Sequence, residues 1–500
     1  MANQEPVHEL KKTADWKTAY VIGLAGVLLV TGADPPTIGS AGGLGWIVII
    51  TTVIIGAIYC FFLAELATRF PEKTGGLPTY AIEGFRDKKW GGLLGGINNW
   101  AYWLGWFPVV CINAALMAVY AATLGGFYNV VYNGVLPNGF IGYAYILAFT
   151  AAIAGILWVV NYMGLSMGFG VCLILGILSI VPLLAIGFVP LATVHVAFAN
   201  IFPINSGGYT INGWGDIFWN ILPWYFIMTW NALAMETAAC YIGECKNPRK
   251  DAPRALIAEG VTGIVVYTMV GLTLLGYLGF TAVAADPWAS FIKTLNFLGP
   301  YASPVVGICL FAALLLSTLG AFLGCCRALY QSSIEGLTLR WFGKLNKHGA
   351  PVRACTFSFF MVLLVSLIAA GLPTLIYVLS NVGYLLAFIP TGLAFIRLKM
   401  GYKGAPQIKD PSKVFILPKW MAGVAAVIVA FFIFIWAVMG PISGYTVYAV
   451  GGLPVPAITF WLIGIFIVLV SIPMYYRRQG QERKLAASKL VQNTQTVTHE

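Results

Sequence analysis

The chain alternates long apolar runs with short polar connections. Each run is close to the length of about 20 residues that an α-helix needs to cross the hydrocarbon core of a bilayer. The pattern predicts an all-α polytopic membrane protein with twelve transmembrane helices, at 19–45, 46–69, 92–122, 139–161, 166–190, 217–243, 255–284, 302–330, 353–371, 373–397, 415–440 and 454–476. Only the glycines between Gly39 and Gly45 separate the first two runs.

The basic residues between these runs predict the orientation of the chain. Cytoplasmic loops of membrane proteins carry an excess of Lys and Arg. Here the connections after the second, sixth, eighth and tenth runs are basic, as are both terminal segments, and the other connections carry almost no Lys or Arg. We therefore expect a multi-pass protein of the plasma membrane with both termini in the cytoplasm. The basic residues behind this expectation are Lys11, Lys12, Lys17, Arg69, Lys73, Arg86, Lys88, Lys89, Lys246, Arg249, Lys250, Arg254, Arg327, Arg340, Lys344, Lys347, Arg353, Arg397, Lys399, Lys403, Lys409, Lys413, Lys419, Arg477, Arg478, Arg483 and Lys484.

The composition excludes a water-soluble protein. Of the 500 residues, 59% are hydrophobic and only 9% are charged, which is too little polar material for a water-facing surface. The net charge of +11 does not indicate nucleic-acid binding, because the basic residues lie in short clusters between apolar runs. The nine Cys residues are scattered without metal-ligand spacing, so neither a metal nor another cofactor is expected.

One carboxylate, Glu236, lies near the middle of the sixth apolar run. A charge at the centre of a membrane helix costs about 2.5–3.5 kcal/mol, so intramembrane acids usually mark functional sites. Thr229, Trp230 and Asn231 precede it and offer polar groups and an aromatic face at a similar depth. The sequence therefore predicts a substrate site that includes Trp230, Asn231 and Glu236. The alternative is a structural carboxylate that is protonated or hydrogen-bonded to nearby backbone.

The first run carries a comparable irregularity. Asp34 is followed by Pro35 and Pro36, and two consecutive prolines are not expected inside an unbroken helix. We expect this helix to unwind at Thr31–Ala33 and to restart with Asp34 as its N-cap. Interrupted helices at matching places in two halves of a chain are typical of inverted-repeat transporters with a site at the membrane midplane.

Three segments carry a family resemblance. They are Glu65–Tyr80 (ELATRFPEKTGGLPTY), Glu236–Pro253, with its Glu, Lys-Asn-Pro and basic-x-x-Pro pattern, and Arg327–Pro351. Together with twelve apolar runs, they make the chain similar to permeases of the amino acid–polyamine–organocation (APC) superfamily. By position, Trp230 resembles the aromatic residue that covers substrate in the antiporters of that family, and Glu236 resembles the acidic position of the sixth helix.

The resemblance also implies a fold. It implies a LeuT-like 5+5 inverted repeat whose helices 1 and 6 are broken at mid-membrane, with alternating access around the breaks. The expected parts are a cytoplasmic N-terminal segment at 1–18, a transport core at 19–397, peripheral helices 11 and 12 at 415–476 and a cytoplasmic tail at 477–500. The core would contain the repeats 19–190 and 217–397.

One departure from the family bears on the substrate. Amino acid permeases usually place a Gly-small-Gly turn in helix 1, and its free N–H groups receive the substrate carboxylate. Here that stretch is Thr31, Gly32 and Ala33, followed by Asp34 and two prolines that have no N–H group. A carboxylate would meet repulsion, whereas an ammonium group would be attracted. We therefore favour an amine, a polyamine or a cationic amino acid as substrate, with a neutral amino acid permease or exchanger of the same fold as the alternative.

Further candidates lie on other helices. Aromatic rings could face a cationic substrate, although packing between helices is the alternative for each of Tyr102, Trp106, Tyr377 and Tyr384. Ser317 and Thr318 could hold a sodium ion together with helix 1 carbonyls, as in sodium-coupled relatives of the fold. Hydroxyl groups that bond back to their own helix are the alternative there. The coupling ion, proton or sodium, stays open.

Other functional classes fit the sequence less well. An intramembrane enzyme would need a nucleophile–base pair or a metal cluster, and no such motif is present, so no enzymatic activity is expected. A channel would be favoured by rings of like charge around a pore, whereas this chain has single acids on two helices expected to be interrupted. A transport-dead nutrient sensor stays open, because sensing and carrying can share one site.

Overall fold

The structure is a computed structural model that describes residues 14–73, 75–133, 136–163, 165–369, 373–402, 405, 414–443 and 458–497. The described part is mostly helical, and the strands found in it are a two-residue antiparallel pair, Tyr132–Asn133 (β1) with Leu136–Pro137 (β2). Five basic residues of the orientation argument lie outside the described residues: Lys11, Lys12, Lys403, Lys409 and Lys413.

The helices follow the apolar runs. Those of the first half are α1 (Trp16–Val27), α2 (Val30–Arg69), α3 (Leu77–Phe85), α4 (Gly91–Leu124), α5 (Tyr128–Val131), α6 (Gly139–Tyr162) and α7 (Leu165–Ala192). Those of the second half are α8 (Trp214–Asp216), α9 (Leu222–Ala232), α10 (Pro248–Thr273), α11 (Phe280–Ala285), α12 (Ala302–Ile334), α13 (Val352–Ile368), α14 (Pro373–Met400), α15 (Met421–Phe434), α16 (Ile458–Leu469) and α17 (Ser471–Val497). Short 3₁₀ helices lie at Phe198–Asn200, Ala234–Glu244, Ser290–Lys293, Asn296–Leu298 and Arg340–Gly343, and π-helical turns at Ile217–Ile221, Leu274–Leu278 and Ile435–Met439.

Nine helices in the described ranges are long and apolar enough to cross a membrane. The first, Trp16–Arg69, has 54 residues and contains two of the predicted runs, whereas α13 is apolar but only 17 residues long. The protein is therefore a multi-pass membrane protein. The number of twelve helices and the 5+5 inverted repeat stay predictions. The predicted boundary of the tail at residue 477 falls inside α17, which continues to Val497.

The core lies around α4 and α14. In each of these helices 83% of the most apolar stretch is buried, against 28% in α6 and 22% in the last span, Ile458–Lys484. A helix that is apolar on all sides but largely exposed outside the protein is suited to face lipid. We therefore expect α6 and α16 at the lipid boundary, while α4 and α14 hold the residues of the candidate site.

A sharp turn at Gly42 divides the first two runs. Its φ of 55° lies in the region that favours glycine. A Cβ atom there would lie 1.9 Å from Oδ1 of Asn205, which also accepts hydrogen bonds from the N–H groups of Gly43 and Gly207, both at 3.2 Å. The turn therefore occurs within the glycine cluster that separates the two runs in the sequence.

The first run is interrupted earlier than the sequence predicted. Leu28 and Leu29 separate α1 from α2 and keep right-handed helical dihedral angles. Their N–H groups still bond to the carbonyls of the preceding turn. The expected unwinding at Thr31–Ala33, with Asp34 as N-cap, is therefore wrong, because α2 begins at Val30 and Asp34 lies inside it.

A distant side chain replaces the donor that is missing at the second of the two prolines. Pro36 has no N–H group, so the carbonyl of Gly32 loses its partner within the helix. The hydroxyl of Tyr377 on α14 donates to that carbonyl at 2.8 Å. The helix α2 therefore continues through Pro35 and Pro36 with support from a side chain of α14.

The sixth run changes its geometry at Leu233. The α-helix α9 ends at Ala232, and a 3₁₀ helix occupies Ala234–Glu244. Runs of 3₁₀ helix beyond three or four residues are uncommon, and a change to 3₁₀ within a helix often marks a hinge. Glu236 lies in the first turn of this 3₁₀ helix. The candidate carboxylate is therefore placed just after the point where the helix changes form.

Two glycines fit closely around this change. A Cβ atom on Gly26 of α1 would lie 1.7 Å from the carbonyl oxygen of Ala234, and one on Gly56 of α2 would lie 2.4 Å from that of Ala232. Side chains at either position would collide with backbone, which cannot move aside as a flexible side chain can. The interruption of the sixth run is thus packed directly between α1 and α2.

Candidate functional site

The carboxylate of Glu236 is bound by two tyrosine hydroxyl groups. Tyr102 on α4 donates to Oε1 at 3.1 Å, and Tyr384 on α14 donates to Oε2 at 2.5 Å. Trp106 packs edge-on against Tyr384, with ring centroids 5.6 Å apart. Glu236 is only 1% exposed. Both of its carboxylate oxygens are therefore engaged by donors from the two central helices.

A second cluster joins Trp230 to helix 1. Its indole ring lies 4.7 Å from the ring of Tyr377, and its Nε1 donates to the hydroxyl of Ser380 at 2.9 Å. A Cβ atom on Gly32 would lie 3.1 Å from both Trp230 and Tyr377. The two aromatic side chains therefore pack directly on the backbone of helix 1 at Gly32.

The two clusters are continuous. The Ser380 hydroxyl donates to the carbonyl of Gly105 at 2.6 Å, and a Cβ atom on Gly105 would lie 2.7 Å from Cβ of Tyr384. The structure thus brings six of the sequence candidates into one buried region: Gly32, Tyr102, Trp106, Trp230, Glu236 and Tyr377.

Asp34 is bound differently from Glu236. Its Oδ1 accepts a hydrogen bond from the amide group of Asn231 at 3.2 Å. Its Oδ2 and the amide oxygen of Asn231 are both buried and have no hydrogen-bond partner in the described part of the chain. Tyr267 on α10 donates to the backbone carbonyl of Asn231 at 3.0 Å and so fixes that residue. Asp34 and Asn231 therefore leave two acceptor atoms without a donor in the described part of the chain, whereas the amide nitrogen of Asn231 already donates to Asp34 and to the carbonyl of Leu29.

The polar groups around Asp34 in helix 1 are used locally. The N–H of Gly32 bonds to the carbonyl of Leu29 at 2.9 Å, and the hydroxyl of Thr31 donates to the carbonyl of Leu28 at 3.3 Å. The carbonyl of Ala33 accepts from Thr37 at 2.7 Å. The predicted site residues Thr31, Gly32 and Ala33 are all buried near the site, but the Gly32 N–H and the Thr31 hydroxyl are already engaged within the helix.

The candidates for a sodium site lie elsewhere, on α12. The hydroxyl of Thr318 donates to the carbonyl of Leu314 and so bonds back to its own helix, which is the alternative to a sodium ligand. The hydroxyl of Ser317 is buried and has no partner in the described residues. One turn further, Gly320 packs against Ala25 of α1, where a Cβ atom would lie 2.6 Å from that side chain. The sodium site stays a prediction.

Sequence reasoning missed some buried polar residues in the site and next to it. Glu259, on α10, is another carboxylate inside an apolar run and is fully buried, so the signal that singled out Glu236 was also present there. Ser380 and Tyr267 were also missed, and nothing in the sequence distinguishes them from other polar residues of their helices. Tyr384 was one of several aromatic candidates and proves to be a direct partner of Glu236.

A separate buried carboxylate, Glu65, lies at the end of α2 and is paired with cations. It accepts from Lys399 on α14 at 2.7 Å, from Arg69 at 2.6 Å and from the backbone N–H of Leu417 at 2.8 Å. We call Glu65, Arg69 and Lys399 the Glu65 cluster. It joins the ends of α2 and α14 to the segment before α15.

A second ion pair lies near these helix ends. Arg397 binds Asp87 through two hydrogen bonds of 2.6 and 2.7 Å and stacks on Tyr402, whose ring centre is 3.9 Å away. The hydrogen bonds from the Arg397 guanidinium lower the pKa of Asp87 to about 2 from its ordinary value of 3.8. The pair therefore persists in acid well below neutral pH.

Comparison with known proteins identifies the family. A sequence profile of the amino acid permease family matches residues 15–467. This chain belongs to the amino acid permease family. The permease is 25% identical over 463 residues to the cadaverine/lysine antiporter of Escherichia coli (strain K12), covering 90% of this chain and 91% of that protein. The predicted relationship to the APC superfamily is confirmed.

Two further relatives have related substrates in their names. The permease is 25% identical over 363 residues to the arginine/ornithine antiporter ArcD1 of Lactococcus lactis, covering 66% of this chain and 65% of that protein. It is 24% identical over 375 residues to the gamma-aminobutyric acid permease of Escherichia coli (strain K12), covering 72% and 73%. The permease is thus a membrane transporter of amino acids or related amines.

Proposed function

We propose that this permease carries an organic amine, a polyamine or a cationic amino acid across the plasma membrane by alternating access. The observation that carries the proposal is the pair of free acceptor atoms on Asp34 and Asn231, in a buried region where Asp34 has no ion pair in the described residues. A buried carboxylate is stable only when it is neutralised or paired. A substrate ammonium group would supply both the charge and the donors.

A carboxylate substrate fits the same place less well. It would lie near Asp34 and Glu236, and the N–H of Gly32 is already bonded to Leu29. Trp230 and Tyr377 pack over Gly32 and offer aromatic faces, which attract cations. The named substrates of two relatives, cadaverine and lysine in one and arginine and ornithine in the other, support a cationic substrate.

Alternating access is supported by the two interruptions, at Leu28–Leu29 and at Leu233. Such places allow half of a helix to move while the other half stays packed. The candidate site is buried, as expected of a closed state between the two open ones. The clusters of Lys and Arg support an orientation with both termini in the cytoplasm.

Counterflow in proteoliposomes tests this function. Vesicles loaded with unlabelled cadaverine or lysine are offered radiolabelled cadaverine, lysine or alanine. We expect saturable exchange of the cationic substrates and little exchange of alanine. Asp34→Asn should raise the concentration for half-maximal exchange by about 30-fold, the equivalent of about 2 kcal/mol for a charge-assisted hydrogen bond. Asp216→Asn, which changes a carboxylate that bonds to the Asn212 N–H away from the site, serves as the control.

The other outcomes identify the alternatives. Exchange of alanine in preference to lysine, unaffected by Asp34→Asn, would indicate a neutral amino acid exchanger, which the similarity to a gamma-aminobutyric acid permease keeps in view. Flux without saturation would indicate a channel. Binding without flux would indicate a sensor.

A further inference from the structure

Glu259 is a buried carboxylate that the proposed substrate site does not use. It lies on α10 and is 0% exposed. Its Oε2 accepts a hydrogen bond from the backbone N–H of Ala238, in the 3₁₀ helix, at 3.2 Å. Its Oε1 has no hydrogen-bond partner in the described part of the chain. The donors at this carboxyl group belong to the backbone of Ala238 and Thr237 and are neutral, which is too little to stabilise a full negative charge at a buried position.

The carboxyl group of Glu259 lies between α1, which precedes the interruption at Leu28–Leu29, and the 3₁₀ helix, which follows the change at Leu233. A Cβ atom on Gly23 of α1 would lie 2.6 Å from Oε2 and 2.8 Å from Oε1. The group is therefore pressed against α1 on one side and bonded to the 3₁₀ helix on the other. These two segments are also tied at their ends, since the N–H of Lys246 bonds to the carbonyl of Ala14 at 2.9 Å. Water can reach Glu259 from this side only if α1 or the 3₁₀ helix moves.

No cation forms an ion pair with Glu259 in the part of the chain that the structure describes. The elements packed against Glu259 carry further titratable and charged groups. They include Lys17 and Tyr20 of α1, Asp34, Tyr59, Cys60, Glu65 and Arg69 of α2, Glu236, Cys240 and Tyr241 of the 3₁₀ helix, and Arg249, Lys250, Asp251, Arg254 and Tyr267 of α10 itself. Arg327 of α12 lies over the ring of Tyr241, 5.0 Å from its centre. The helix α7, which packs on α10, has no charged residue. Lys17 and Arg254 are exposed, and Glu259 forms no ion pair in the described residues. Glu236 is an acid like Glu259, so it adds to the cost of a charge.

We propose that Glu259 is a proton-binding site that couples proton movement to transport. The proton resides on Oε1 in the closed state described here, so that the buried group is neutral. When α1 and the 3₁₀ helix separate, water reaches the carboxyl group and the O–H bond breaks, leaving a carboxylate while the proton passes to water on that side. Closure requires that a proton bind again. The proposal rests on the proposed transport function.

Glu236 does not fit this role as well. Both of its oxygens receive hydroxyl donors from α4 and α14, at 3.1 and 2.5 Å. These donors belong to the central helices, so they do not depend on the position of α1. The carboxyl group of Glu259, by contrast, lies against Gly23 of α1 and accepts from Ala238 of the 3₁₀ helix, and an opening of the interrupted helices would displace both of these segments. The structural difference therefore assigns proton exchange to Glu259.

The test measures exchange and proton movement in the same proteoliposomes, with a pH-sensitive dye inside the vesicles. In the wild-type protein we expect net substrate uptake to move protons, and its rate to change by about tenfold per pH unit on one side of the optimum, as for a single titrating group. Glu259→Gln should retain saturable counterflow at a fixed pH but lose both the proton signal and the pH dependence. Asp216→Asn should keep both.

A second variant covers the case in which Glu259→Gln does not fold. Glu259→Asp keeps an acid but withdraws it from Gly23 and Ala238, so it should still move protons with a shifted pH midpoint. Infrared pH-difference spectra should show a protonated-carboxyl band in the wild-type protein that moves in Glu259→Asp. An unshifted midpoint and band, or a wild-type protein whose net substrate uptake moves no protons, would overturn the proton site. Absence of counterflow in the wild-type protein would instead contradict the transport function.

Discussion

Two groups of buried carboxylates in this permease contrast with each other. Glu65 is 0% exposed and is paired with Lys399 and Arg69. Asp34 and Glu259 are equally buried, yet neither has an ion pair in the described residues, and each keeps one oxygen without a partner. Where the protein supplies a cation, as Lys399 does for Glu65, the ion pair holds two helices together. Where it does not, neutrality has to come from a proton or a substrate.

Glu236 is intermediate between the two groups. It has no ion pair in the described ranges, but Tyr102 and Tyr384 occupy both of its oxygens. Neutral donors can hold a carboxylate in position without fixing its charge. The comparison therefore predicts that substitutions will affect stability most in the Glu65 cluster and transport most in the interrupted helices.

The largest expected effect is on the Glu65 cluster. Lys399→Met leaves the buried Glu65 with only Arg69 as a cation and should destabilise the protein by about 3–5 kcal/mol. The measurement is the thermal unfolding midpoint in detergent. Lys419→Met, at an exposed lysine, is the control. The double variant Glu65→Met/Lys399→Met should lose less than the single one, and equal losses would argue against a charge-pairing role.

The next effect concerns the packing that positions the unpaired acids. Gly26→Ala places a methyl group 1.7 Å from the backbone oxygen of Ala234 and should abolish counterflow, at an overpacking cost of about 3 kcal/mol. Gly324→Ala on α12, where a Cβ atom would have no neighbour within 4 Å, should leave exchange unchanged. Similar losses in both variants would mean that alanine is harmful for reasons other than this contact.

A smaller effect is expected from removing one donor of Glu236, so that one of its oxygens has no hydrogen bond, as at Asp34. Tyr384→Phe removes the 2.5 Å hydrogen bond and leaves Oε2 of Glu236 without a donor. An unsatisfied buried acceptor costs about 1–3 kcal/mol, and we expect counterflow to fall by about tenfold. Tyr301→Phe, at an 81% exposed tyrosine, controls for the loss of a hydroxyl. Unchanged exchange in Tyr384→Phe would show that this hydrogen bond does not contribute to transport.

The smallest effect should come from the surface pair of Asp87 and Arg397. Because the pKa of Asp87 is lowered to about 2, its contribution to stability is complete above pH 3.8 and is lost as the pH falls through about 2. Asp87→Asn should lower the unfolding midpoint slightly at pH 6 and by a similar amount at pH 4, and high salt should reduce the difference. A difference that has already vanished at pH 4 would contradict the lowered pKa.

The sequence was informative where one residue type carries the signal. Apolar runs predicted the helices, and a charge among apolar residues identified Glu236. The same rule applied to Glu259 would have found it, since Glu259 also lies in an apolar run. The interruption of helix 1 was misplaced because the prediction assumed that two consecutive prolines, Pro35 and Pro36, each remove a donor and clash with the preceding turn, and so break the helix. At Pro36, the hydroxyl of Tyr377 donates to the carbonyl of Gly32, which is 345 residues away in sequence, and no local pattern indicates this contact.

Contacts between helices were the least predictable part of the site. Trp230 was expected to face substrate, but its partner Ser380 is determined by how α9 and α14 meet. That approach depends on glycines such as Gly32 and Gly105, whose missing side chains admit neighbouring rings. Spacing along one helix predicts which residues share a face, whereas the identity of the neighbour is a property of the assembled bundle.

The 3₁₀ helix Ala234–Glu244 also determines how far the chain extends. A residue advances about 2.0 Å in a 3₁₀ helix and about 1.5 Å in an α-helix, so eleven residues extend about 22 Å instead of about 16 Å. That added length brings Lys246 beside Ala14, where their backbones are bonded. If the same residues were wound as an α-helix, the chain would fall about 6 Å short of that position, so the link between the ends of the two interrupted helices depends on the longer rise of the 3₁₀ helix.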